Sequence, residues 1–115
     1  MDISTRYRLL KLLHERPHLS QRDLAEIMGI SLGKTNFCLQ ALIKVGLIKA
    51  QNFRNAKNKA AYLYNLTPSG IEEKTLVTRA FLQRKLAEYE SIQQEIAELQ
   101  TDLDADKAIP MNLAP

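Results

Sequence analysis

Asn36 and Gln40 stand four residues apart, and each ends in an amide that donates and accepts hydrogen bonds in one plane. On a helix the two would share a face, one turn from each other. Such a pair suits a planar edge that carries a donor beside an acceptor, as adenine does. Lys34 and Lys44 bracket the pair and suit an anion or a guanine edge, while Phe37 could meet a thymine methyl. Gly33, just ahead of them, would let a helix approach a surface closely. The surrounding charge agrees. No acidic residue occurs between Glu26 and Glu72, whereas that span holds six basic ones: Lys34, Lys44, Lys49, Arg54, Lys57 and Lys59. A face meant for a polyanion must exclude carboxylates, because they repel it.

Other chemistry finds little material. His14 and His18 are four apart, but Pro17 between them breaks the helix that would align them, and no third ligand is evident, so no metal is expected. Cys38 is the single cysteine, which excludes an intramolecular disulfide and any multi-cysteine zinc site. Its place among apolar helix positions makes it a small buried hydrophobe. No Ser or Cys pairs with a His and an acid, and there is no glycine-rich phosphate loop. No catalytic residue, enzyme activity or cofactor is expected. No apolar run approaches the roughly 18 residues of a membrane span. MDISTRYRLL lacks a signal-peptide layout, so the expectation is a soluble cytoplasmic protein without membrane contact.

The elements that must position the amides follow from caps and periodicity. Residues 3–16 read as a first helix, with Ile3, Tyr7, Leu10 and Leu13 on one stripe, Leu9 and Leu12 widening it, and Pro17 ending it. Leu19 packs ahead of Ser20, which caps a second helix with Asp23 completing a capping box. Leu24, Ile27 and Met28 give that helix its apolar face, Gly29 stops it, and Ile30 fills the corner. Ser31 caps a third helix that runs to Val45 and stops at Gly46. Two short helices joined by a tight turn containing Gly make a helix-turn-helix, whose second helix enters the major groove of DNA in proteins that bind it. Thr35, Cys38, Leu39 and Leu42 should face the core, leaving Gly33, Lys34, Asn36, Phe37, Gln40 and Lys44 outward. Ser31 and the free N–H groups behind it suit a phosphate. Ser20, Gln21 and Arg22 open the preceding helix, where backbone phosphate contacts are common.

After this unit, residues 47–50 and 60–66 read as two strands around the polar tip QNFRNAKNK, with Tyr62, Tyr64 and Leu66 alternating on one face. A hairpin in this place is a wing, and Arg54, Lys57, Asn58 and Lys59 are its candidates for phosphate or minor-groove contact. Thr67 and Pro68 open a last helix, continuing to about Leu103, whose first turn Gly70 weakens. Along it Leu82, Leu86, Tyr89, Ile92, Ile96, Leu99 and Leu103 recur. From Tyr89 the steps are 3, 4, 3 and 4, a short heptad seam that would suit a second copy of the chain. Charge divides at the same place, with residues 1–70 carrying net +7 and residues 71–115 net −4 of the 115-residue total. The expected fold is mainly α with a small β-hairpin. It comprises a winged helix-turn-helix over residues 1–70, a coiled-coil-like dimerisation helix over 71–104 and a flexible tail over 105–115.

With STRYRLLKLL, HLSQRDLAEIMGISLGKTNFCLQALIKVGLIK, NF at 52–53 and YNLTPSGIEEK located, the chain resembles the MarR-like winged-helix transcriptional regulators. It is most similar to a small bacterial subgroup of that family associated with exopolysaccharide gene clusters, which LAEYESIQQEI in the last helix also resembles. The resemblance implies a homodimeric regulator that binds a palindromic double-stranded operator near such genes. Typical members carry an extra N-terminal helix that lines a ligand pocket; here the first helix opens at Ile3, and no effector is indicated. The alternative is a winged helix serving as a protein-interaction module in a larger assembly. The acid-free basic stretch weighs against it.

Overall fold

The computed structural model describes residues 1–54 and 60–108. The described elements are α1 (Ile3–Glu15), α2 (Gln21–Met28), α3 (Leu32–Lys44), β1 (Ile48–Arg54), β2 (Ala60–Leu66) and α4 (Pro68–Ala108). They fall into two units, Met1–Phe81 and Leu82–Pro115. The expected architecture is present: three short helices, an antiparallel hairpin and a long C-terminal helix.

Local signals set the helix ends of the first unit. Asp2 accepts a hydrogen bond from the Thr5 amide at 2.7 Å and starts α1. Ser20 accepts from the Asp23 amide at 3.0 Å while the Asp23 carboxylate accepts from the Ser20 amide at 3.2 Å, a closed capping box at the head of α2. Gly29 sits at φ 68°, in the left-handed region, and ends α2. Ser31 accepts from the Lys34 amide at 3.0 Å and starts α3. Three side chains from α1 (Leu9, Leu10, Leu13), two from α2 (Leu24, Met28) and three from α3 (Cys38, Leu39, Leu42) meet in one core, closed by Leu19, Leu47, Ile48 and Tyr64. Each fully buried leucine contributes about 1.5–3 kcal/mol relative to exposure. Ile30 packs against this core from the turn, as expected.

Three local readings change. Ile27 is 41% exposed, and Ala25 takes its place in the buried face with Leu24 and Met28. At 100° per residue, positions 24, 28 and 25 span one arc, and 27 falls outside its edge. β1 continues through Gln51–Arg54, read from sequence as the wing tip, in register from Ile48↔Leu66 to Arg54↔Ala60. A ladder satisfies backbone groups whatever the side chains, so a polar stretch can still be strand. α4 runs to Ala108, past Leu103.

α4 begins as expected. Thr67 accepts from the Gly70 amide at 3.0 Å and donates its hydroxyl to the Gly46 carbonyl at 2.6 Å. Val77 is buried and Phe81 stacks on Tyr7 at 5.1 Å, so the first unit takes in α4 as far as Phe81. Arg6 and Glu73 add an ion pair at 3.6 Å. Gly70 is a close-approach site rather than a mere weak point. A Cβ there would fall inside the Leu47 carbonyl oxygen and lie 3.3 Å from Leu66 Cβ. Gly70→Ala should therefore destabilise the first unit by about 3 kcal/mol, the upper end of ordinary overpacking, since a backbone carbonyl cannot rotate away as a side-chain tip can. Urea denaturation of the variant beside wild type checks this.

Candidate nucleic-acid interface

The third helix divides as its sequence requires. Thr35, Cys38, Leu39 and Leu42 are all buried, with the Thr35 hydroxyl donating to the Ser31 carbonyl at 2.9 Å. The remaining positions Gly33, Lys34, Asn36, Phe37, Gln40 and Lys44 are all exposed. Phe37 is 71% exposed, a large apolar surface left in water on a helix whose opposite side is fully packed. One face of α3 thus presents two amides, two ammonium groups and an aromatic ring, with no carboxylate among them.

The head of α2 lies beside Leu32, the first residue of α3. Ser20 and Arg22 are exposed, whereas Gln21 is half-buried and donates its amide to the Tyr64 hydroxyl at 2.9 Å. Gln21 therefore ties α2 to the wing strand through one of its two amide hydrogens. A backbone bond joins the same strand to the segment ahead of α2, as the Tyr64 amide donates to the Pro17 carbonyl at 3.3 Å. Ser20, Gln21 and Arg22 line a cleft of ≈ 430 Å³ together with His18, Leu32, Tyr62 and Tyr64. Leu32 and Tyr62 are 46% and 52% exposed, and Tyr62 stacks on Tyr64 at 6.1 Å. Sequence reasoning assigned neither residue a part in the surface. The alternation of Tyr62 and Tyr64 was the available signal, but it does not say which tyrosine is covered. Among the wing candidates, Arg54 ends β1, and Lys57, Asn58 and Lys59 lie outside the described residues.

Arg8 braces the turn between α2 and α3. Its guanidinium donates to the carbonyls of Met28 and Ile27, each at 3.4 Å, and so occupies the C-terminal end of α2 at the turn into α3. The capping box holds the other end. The Ser20 amide and hydroxyl bonds keep the Asp23 carboxyl below its usual range, with Arg16 and His18 adding smaller attractions. A carboxyl lowered by folding adds stability that is complete above its unfolded value and is lost as pH falls through the folded one. Acidification should thus weaken the Asp23 cap only below the ordinary carboxylate range. In Asp23→Asn that acid-dependent part should be missing, as thermal melts across the acid range would show.

Among the described residues, no cluster of three or more His, Cys, Asp or Glu could hold a metal ion, and no helix is long and apolar enough to cross a membrane. Residues 4–49 match the family described as winged helix-turn-helix DNA-binding. No curated protein matches the chain in sequence. Solved structures do match in fold. A ZitR mutant from Lactococcus lactis is 22% identical at a TM-score of 0.60, over 90% of this chain and 73% of that one. A MepR mutant from S. aureus, bound to an oligodeoxyribonucleotide, is 22% identical at 0.55, over 88% and 77%. A transcriptional regulator homologue from Pyrococcus horikoshii OT3 is 15% identical at 0.57, over 70% and 78%. Capped helices, a glycine turn, the hairpin and these likenesses agree: the chain carries a winged helix-turn-helix fold followed by a long C-terminal helix.

Proposed function

We propose that this protein is a MarR-like transcriptional regulator that binds double-stranded DNA by sequence and acts as a cytoplasmic homodimer on a palindromic operator. The observation that carries the reading is the outward face of α3, where Gly33, Lys34, Asn36, Phe37, Gln40 and Lys44 stand exposed and free of acid. In the major groove Asn36 and Gln40 would take adenine edges, Lys34 and Lys44 guanine or phosphate, and Phe37 a thymine methyl. Ser31 with the α3 N-terminus, and Ser20 with Arg22 at the head of α2, would hold phosphates on either side. Arg54, Lys57, Asn58 and Lys59 give the wing its share. That a MepR mutant of the same fold is bound to an oligodeoxyribonucleotide supports this use of the fold.

The second copy would join through α4. Leu82, Leu86, Tyr89, Ile92, Ile96, Leu99 and Leu103 are each between 49% and 63% exposed. That is a long apolar strip for a monomer to leave in water. The sequence resemblance to regulators of exopolysaccharide gene clusters is what supports such genes as its field of control. Selection of bound sequences from random duplex DNA tests the whole reading. An enriched inverted repeat supports it. A winged helix used for protein contact would enrich no sequence.

A further inference from the structure

We infer that the α4 seam pairs in parallel with a second copy of itself, resting on the self-association proposed above. With Ile96 taken as one core position of the heptad, Leu82, Tyr89 and Leu103 share it, and Ile92 and Leu99 occupy the other. The two edges of the seam then differ in charge. One edge holds Glu88, Glu95 and Asp102, and the other holds Gln93, Gln100 and Lys107. All six are exposed and belong to the continuous helix α4.

In a parallel pair each edge meets the opposite edge of the second copy, five residues further on. Glu88 then faces Gln93, Glu95 faces Gln100 and Asp102 faces Lys107, which is neutral, neutral and attractive. In an antiparallel pair like edges meet. Glu95 would face Glu95, and Glu88 would face Asp102, twice. Close like charges across an interface select against that arrangement. Lys85 falls at a core position in either case. In the parallel pair it faces Lys85 of the second copy, a repulsion tempered by Glu88 of its own helix, which lies 3.1 Å from Lys85 and 3.9 Å from Arg84; that one like-charge contact stands against three in the antiparallel pair.

The test uses the full chain in two forms. Leu99→Cys is oxidised with glutathione, with wild type, whose Cys38 is buried, as control. A parallel pair brings the two introduced thiols together. An antiparallel pair sets residue 99 against residue 89 and holds the two copies of residue 99 about 15 Å apart along the axis, beyond disulfide reach. Because Leu99→Cys thins the seam, Gln93→Lys/Gln100→Lys is measured beside it by sedimentation equilibrium. Parallel pairing places these lysines against Glu88 and Glu95 and should tighten the dimer roughly tenfold through four new exposed ion pairs. A linked dimer and tighter association are expected. A dimer that does not cross-link at residue 99 and is weakened by the lysines, which would then meet at residue 93, overturns the orientation alone. A wild type that stays monomeric overturns the self-association beneath it.

Discussion

Binding to duplex DNA should weaken by roughly 10³-fold or more as salt rises from about 50 to about 200 mM. Each phosphate that a Lys or Arg neutralises releases condensed counterions, and about six contacts suffice for that slope. Each copy offers exposed Arg22, Lys34, Lys44 and Lys49 from the described surface, so a dimer has enough cations without every one engaging. The wing adds Lys57 and Lys59 by sequence. Replacing both with Ala should flatten the slope and leave the preferred sequence in place, because a phosphate contact carries no base information. Anisotropy titrations at several salt concentrations give both slopes. A changed site preference would mean that the wing reads bases.

Removal of residues 82–115 should have an effect of similar size by a different route. Residues 1–81 hold the buried core, Gly70's close approach to Leu47 and the Tyr7–Phe81 stack, so they should fold alone. They lose the whole apolar strip from Leu82 to Leu103. Two linked reading heads bind a two-site operator more tightly than one head does, by about 10²–10⁴-fold, because the second contact is made within the complex. The truncated chain should therefore sediment as a monomer and lose about that factor on the full operator. It should lose almost nothing on a single half-site. A persistent dimer would place the interface in the winged helix itself.

Legibility followed the range of each interaction. Ser20, Asp23, Gly29 and Ser31 act on atoms within a few residues, so their types and order already mark where α2 ends and α3 begins. The burial of Thr35, Cys38, Leu39 and Leu42 follows from one helical period, and with it the outward face of α3. What stays hidden in the sequence depends on distant or purely backbone partners. Gln21 meets Tyr64 across 43 positions. Gly70 matters because of the Leu47 carbonyl, which its neighbours in sequence do not reveal. β1 extends through a polar segment because its backbone pairs with β2, and no side-chain pattern announces that. Ile27 was lost to arithmetic on a helix of 8 residues, too short for a period to exclude an edge position.

On the proposed reading, Asn36 is the residue on which base discrimination turns. Its amide stands on the exposed face of α3 with Gln40 one turn along, and removing it takes away no charge. The decisive measurement is a titration of wild type and Asn36→Ala against the selected operator and its single-base variants. The substitution should cost about 1–3 kcal/mol at the preferred operator, relax the choice at one base pair per half-site, and leave non-specific binding nearly unchanged. Equal weakening on every sequence would contradict the account, since Asn36 would then be holding the DNA backbone or the protein's own structure.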